Sequence, residues 1–407
     1  MVYFIVLAIL IYCIYTYDYK KHKVGDMVFY IGICVLLIFI AGLRYRIGGD
    51  SIGYESEYKN IPSLFHMRGF KLNSIRWEPG FIWFMILSKT LSSDFTIFQF
   101  LHAVVVNSII FWFIFKNTEN KFICVSLYCI GLYLNFNTEV LRESLAVCIF
   151  LLAWPFFRRG NWIFYYLICI AACFFHISAV FTLILPIFAI PGIRGGFRLG
   201  YRTIFICVIL FGISFYLGKK FFSIIKLLSQ NETVTERAEI YGKTSYGGSV
   251  LNIFGILEAI LKGCILPACA IWYRKLTLKG TDDQQKIKDF RKMEIMVMSG
   301  IYVSVMTMAI FILSRFNNYL NMFTFAMISI CFFQKVEIKR RKFKLGGIYW
   351  SIILLLLFSL NFKAYFANTY GSTKNKRYML YYPYYSRLDP TEDQRREEIL
   401  RFAFHIK

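Results

Sequence analysis

Apolar runs of roughly 15–24 residues recur along almost the whole chain, separated by short polar and basic stretches. That is the length a helix needs to cross a bilayer. The runs fall at 2–17, 27–43, 95–115, 122–136, 140–157, 161–175, 177–191, 203–217, 249–273, 294–313, 316–333 and 345–361. The pattern predicts an all-α polytopic membrane protein of about 12–13 transmembrane helices. A further apolar run at 78–91 is short. The pair flanking His176 is also short, and reads either as two elements or as one long tilted helix.

Lys and Arg crowd Lys20-Lys21-His22-Lys23, Arg158-Arg159 and the stretches 194–202, 274–292 and 335–344. Short basic loops stay cytoplasmic, which places the N-terminus outside. The loops 44–94, 135–139, 218–248 and 314–315 then face outside as well. This assignment requires that 78–91 does not cross, because a crossing there would carry Arg158-Arg159 outside. Residues 77–91 are therefore read as a re-entrant or interfacial helix, a form that needs protein cover or a wet cavity. The division expected is a single transmembrane domain at 1–361, with extracytoplasmic loops 44–94 and 218–248, and an extracytoplasmic Tyr-rich tail at 362–407.

Composition supports the membrane reading: 57% of the 407 residues are hydrophobic and 19% aromatic, more than soluble domains carry. A net charge of +23 would suit nucleic acid if it were gathered on one surface. Here it is spread through loops between spans, so no nucleic-acid partner is expected. All eleven cysteines lie inside apolar runs, without metal-ligand spacing in a loop. They read as small core hydrophobes, and neither a metal nor a cofactor is expected. Met1-Val2-Tyr3 lacks a basic n-region, so no cleavable signal is expected.

The most informative polar stretch is Gly42-Leu43-Arg44-Tyr45-Arg46-Ile47-Gly48-Gly49-Asp50-Ser51-Ile52-Gly53-Tyr54, at the end of an apolar run. Guanidinium groups at a membrane surface suit bidentate binding of phosphate oxygens. In the orientation above, the polar groups least at home in a bilayer all reach the outer face. They are Arg44, Arg46 and Asp50; Glu78; Glu139, Arg142 and Glu143; His176; and Arg315 with Asn317 and Asn318. Ionisable groups at membrane depth are costly and usually functional.

Each group also has a structural reading. Glu139 and Arg142 are spaced for an intrahelical pair, or Arg142 addresses a pyrophosphate. His176 is a hydrogen-bonded core residue or a base with near-neutral pKa. Arg315 marks a short turn or a second phosphate contact. Asp50 and Glu78 are turn or cap residues, or the carboxylates that meet an acceptor hydroxyl. The tail carries Tyr365, Tyr370, Tyr378, Tyr381, Tyr382, Tyr384 and Tyr385, an interfacial belt or a stacking surface for sugars. Asp389-Pro390-Thr391-Glu392 predicts a helix start and a terminal helix over 390–404. Asn231-Glu232-Thr233 matches an N-glycosylation sequon, a weak signal.

Taken in order, these motifs resemble the EpsG-like branch of the Wzy-type polysaccharide polymerases. The resemblance rests on 44–54, Glu78-Pro79-Gly80-Phe81, Leu141-Arg142-Glu143-Ser144-Leu145-Ala146, Phe175-His176-Ile177-Ser178-Ala179, Arg315 with Tyr319, and Tyr381-Tyr382-Pro383-Tyr384-Tyr385. The family often has Arg-Gln where this chain has Arg142-Glu143. The resemblance implies a metal-independent, GT-C-like glycosyltransferase in the bacterial inner membrane, with its site facing the periplasm or exterior. It would join undecaprenyl-diphosphate-linked oligosaccharide repeat units, donor and acceptor, alongside a chain-length regulator.

On that chemistry Arg44, Arg46, Arg142 and Arg315 hold the diphosphate. His176 and Asp50 are candidate bases, His176 slightly ahead, with Glu78 third. Glu139, Glu143, Tyr54, Asn318 and Tyr319 are weaker candidates for the glycan. The rival readings are a lipid-linked oligosaccharide flippase or transporter, an O-antigen ligase-type glycan transferase, and a membrane acyltransferase. A flippase would line both leaflets with charge, and a transporter would show inverted repeats; neither pattern is seen.

Overall fold

The structure, a computed structural model, describes residues 2–70, 77–218, 253–279, 281–333, 336–338, 341–343, 355, 359, 361–363, 365–368 and 374–403. Nearly all of the loop expected at 218–248, the sequon at 231–233, most of the apolar run at 345–361 and Tyr370 lie outside the described residues. The chain divides into two compact units, Met1–Val180 with Leu354–Lys407, and Phe181–Ile353. The described residues of the tail fall in the first unit.

In the first unit α1 (Val2–Cys13) runs on through a π-helical turn, Ile14–Tyr19. It is followed by α2 (Asp26–Gly42), α3 (Ser51–Asn60), α4 (Pro79–Leu91) and α5 (Phe95–Asn117). Next come α6 (Lys121–Tyr128), a π-helical turn (Cys129–Tyr133) and α7 (Leu134–Thr138), then α8 (Leu141–Arg159) and α9 (Trp162–Cys173). Local chemistry sets these bounds. The Asp94 carboxylate caps α5 by accepting the Thr96 N–H at 3.0 Å, the usual role of Asp at this position. The Asp18 carboxylate reaches across to accept the Ile123 N–H of α6 at 2.8 Å. Gly160, with φ +76°, closes α8 in the left-handed conformation, where glycine carries no Cβ penalty.

Val2–Tyr19, Phe95–Asn117 and Gly255–Thr277 are each long and apolar enough to cross a bilayer. The 13 residues of α4 rise only about 20 Å, short of a ~30 Å hydrocarbon core. The two elements around His176 are distinct: α9 ends at Cys173, and a 3₁₀ helix spans Ile177–Ala189. At about 2.0 Å per residue that helix is longer than its residue count suggests. A 92° bend separates it from Pro191–Phe197. Large apolar side chains such as Phe4, Ile11, Ile163, Ile204 and Phe205 lie exposed on the outside of the helices. Water would not tolerate so much exposed apolar surface; lipid does. The protein is embedded in a membrane through its helices.

The second unit is built on Gln284–Thr307 and Ser314–Cys331, packed against each other, with Tyr201–Gly218 and the run 253–277 around them. The expected span at 294–313 begins ten residues early, because the Asp283 carboxylate caps the helix at Gln285 and Lys286. Glu294, 2% exposed, pairs with Lys275 at 2.5 Å and accepts the Leu199 N–H. Two short strands, β1 (Val336–Ile338) and β2 (Arg341–Phe343), pair antiparallel. Helix otherwise dominates the described residues.

Candidate functional site

Two backbone breaks build the polar corner of the first unit. One is the turn 44–50 between α2 and α3. The other is Glu139-Val140, where α7 stops and α8 has not begun; Val140 has φ −100° and ψ 53°. Gly48, at φ +94°, lies flat against Thr138: a Cβ there would sit 2.5 Å from the Thr138 Cβ. Glycine is required by both conformation and space. Asp50 follows on the same turn, exposed, at the N-cap position of α3. One turn later Tyr54 donates its hydroxyl to the Glu139 carbonyl at 3.2 Å.

Because Glu139 lies in the break, the helical spacing that would pair it with Arg142 does not exist. Its carboxylate instead accepts the Tyr381 hydroxyl and faces Arg377 at 3.4 Å. Arg142 pairs with Glu78, Nη1 to Oε2 at 2.6 Å. Glu78 is the N-cap residue of α4, with Pro79 at N1, as its sequence suggests. Its side chain makes no capping bond, which leaves the carboxylate for Arg142. Gly80 brings α4 against the end of α9: a Cβ would lie 2.8 Å from the Phe174 oxygen, and the Gly80 N–H donates to that oxygen at 2.8 Å. In this position Glu78 Oε1 accepts the Ile177 N–H at 3.4 Å. One carboxylate thus ties α8 to the His176 turn.

The Arg142 side chain is 24% exposed, and its Nε has no partner among the described residues. Its guanidinium lies 5.7 Å from the Trp77 ring and is bordered by the Tyr54 hydroxyl. Trp77 in turn packs on Phe81, and Phe81 on the fully buried Phe98. An aromatic floor therefore fixes α3, α4 and α5 beneath the arginine. Arg142 has five N–H donors, so an anion can join Glu78 on it.

His176 is 4% exposed. Its Nδ1 accepts the Ser178 N–H at 3.2 Å and lies 2.6 Å from Ser178 Oγ. A neutral imidazole that accepts at Nδ1 carries its hydrogen on Nε2, so this assigned tautomer presents a donor there. Glu143 is buried in the first turn of α8, 1% exposed.

The tail folds back over this corner. The Tyr45 N–H donates to the Tyr385 oxygen, the Gly48 N–H to the Leu380 oxygen and the Arg387 N–H to the Leu43 oxygen. Ile47 packs with Leu380, Tyr381, Ile399 and Leu400. Arg44 is 2% exposed and donates to the Ala41 carbonyl closing α2; burial holds its guanidinium down to about 10. Arg46 pairs with Glu397. Both anchor the turn and the tail. Burial pushes the Tyr381 phenol up, and the Glu139 carboxylate adds to that shift, so the phenol keeps its donor hydrogen. The terminal helix, Gln394–Ala403 among the described residues, begins four residues later than expected, because Asp393 supplies the acceptor for the Arg396 N–H.

Arg315, Asn318 and Tyr319 belong to the first turns of Ser314–Cys331 in the second unit, where Asn317 donates to Ser304 Oγ at 3.1 Å. Sequence reasoning overlooked Trp77, which sits beside Glu78 in the chain, and His102. The His102 ring, fully buried on α5, bonds the Leu141 carbonyl and Ser144 Oγ through Nε2 and so holds the first turn of α8. It also overlooked a closed core network of Asn107, Tyr128 and Asn137.

Residues 27–386 match the EpsG family model. No curated protein and no solved structure matches. The match takes in most of the chain, so the chain belongs to the EpsG family.

Proposed function

We propose that this EpsG-family chain is a bacterial surface-polysaccharide polymerase of GT-C-like architecture, with about 12–13 transmembrane helices. On this reading it joins undecaprenyl-diphosphate-linked oligosaccharide repeat units at the outer leaflet of the cytoplasmic membrane. The observation that carries the reading is the partly exposed Glu78–Arg142 pair, bordered by Tyr54, whose hydroxyl reaches the Glu139 carbonyl. A guanidinium fixed by a carboxylate, with donors to spare, suits a diphosphate leaving group.

In the proposed step the acceptor hydroxyl oxygen bonds to the donor's anomeric carbon, and the carbon–oxygen bond to the diphosphate breaks. The lipid diphosphate departs with the bonding electrons, and the hydroxyl proton passes to a carboxylate. Arg142 stabilises the charge that grows on the diphosphate, the kind of preorganised contact that contributes most to catalysis. The base proposed is Asp50, which is exposed at the N-terminus of α3. Glu78 has both oxygens engaged and positions Arg142. The donor tautomer suits His176 to the departing phosphate rather than to proton removal. Arg315 is proposed to serve the same substrate.

The test is polymerisation of purified lipid-linked repeat units by the protein in proteoliposomes. Longer glycans with stoichiometric release of lipid diphosphate support the proposal. Translocation of the lipid-linked units without new glycosidic bonds would replace it with the flippase reading.

A further inference from the structure

The first unit contains an apolar cavity of about 470 Å³ that the proposed chemistry does not use. Residues 3–10 of α1 line it, about 10 Å of helix, through side chains such as Leu7. Leu37 of α2 and the π-helical turn, with Ile130 and Tyr133, form further walls; Phe362 and Tyr381 of the tail complete it. Its volume falls among pockets that bury drug-sized ligands, about 300–1,000 Å³. The lining is almost wholly apolar, so water and sugars find almost nothing to bond there. A flexible hydrocarbon fits.

Two observations say which hydrocarbon. Tyr381 belongs to both sites: its ring lines the cavity while its hydroxyl donates to the Glu139 carboxylate. The wall through Tyr133 continues as α7 and ends at Glu139. A chain in the cavity therefore lies against the residue that bonds Glu139, and Tyr54 links Glu139 on to Arg142, the proposed diphosphate ligand.

We propose that this cavity seats the head-proximal isoprene units of a polyprenyl diphosphate-linked substrate, an inference that rests on the polymerase reading. Leu7→Trp and Ile130→Trp, on two lining elements and outside the polar corner, fill the space. Each is assayed in full-length protein in proteoliposomes with two donors: the repeat unit on a long polyprenyl diphosphate, and the same unit on a short methyl diphosphate that carries no isoprene. The long-chain donor's KM is expected to rise on the order of tenfold, since each lost methylene contact weakens binding severalfold. Turnover of the short-chain donor is expected to be unchanged, which also shows that the variants fold. Equal effects on both donors, or no effect on either, would overturn the proposal.

If the wild type polymerises neither donor, the polymerase reading fails, and the cavity is tested separately with a sugar-free photoreactive polyprenyl diphosphate. Labelling of α1 and the π-helical turn, lost in Leu7→Trp, supports the cavity. Labelling elsewhere, or labelling that phospholipid displaces equally well, overturns it.

Discussion

Glu78 Oε2 lies 2.6 Å from Arg142 Nη1, across 64 positions of sequence, while Glu78 Oε1 accepts the N–H next to His176. A single carboxylate thus fixes the arginine and the histidine turn together. Arg142→Ala is expected to lower polymer formation by about 10²–10³-fold, the usual cost of removing one transition-state donor. Arg142→Lys should rescue poorly, because an ammonium lacks the planar fork. Glycan length by gel, at matched protein level, is the check. Arg315→Ala is expected to reduce polymer too, and normal polymer would remove Arg315 from the account.

Glu78→Gln separates positioning from proton transfer. The amide keeps one acceptor for Arg142 and loses the charge. Activity is expected to fall about tenfold, with the midpoint of the pH profile unmoved. A pH profile that changes shape would instead make Glu78 the base.

The base assignment has a signed pH test. A carboxylate base works in its ionised form and titrates near pH 4, so activity should persist as pH falls through roughly 6–7. An imidazole base would lose activity across that same interval. Asp50→Asn is expected to abolish polymer, and His176→Gln, which keeps a donor amide, to retain part of it. The opposite pair of results would return the role to His176.

Tyr381→Phe removes the hydroxyl donated to Glu139 and leaves the ring in place. A lost charge-assisted bond costs about 1.5–3 kcal/mol, read as a lower unfolding midpoint in detergent and faster proteolysis of the tail. An unchanged midpoint would mean that the bond contributes nothing to holding the tail.

The apolar runs made most helices legible. The expected 27–43 and 95–115 became Asp26–Gly42 and Phe95–Asn117, because charged or capping residues stand at their ends. Glu78-Pro79-Gly80 carried its own helix start. The π-helical turn at Cys129–Tyr133 was not legible, since nothing in its side chains distinguishes it from α-helix. Nor were the partners of Glu78 and Glu139, because pairing over 64 and 242 positions depends on which helices pack together. Local spacing pointed to Glu139–Arg142, and a two-residue break in the backbone undid it. The contacts of Arg44 and Arg46 with the tail were not legible either, because that tail is more than 300 positions away in sequence.

The most direct measurement is single-turnover transfer by Arg142→Ala and wild-type protein in proteoliposomes, following lipid diphosphate release and the new glycosidic bond together. The account predicts that wild type releases one lipid diphosphate per bond formed, and that Arg142→Ala binds the donor yet releases almost none. Release and bond formation at the wild-type rate in Arg142→Ala would contradict it.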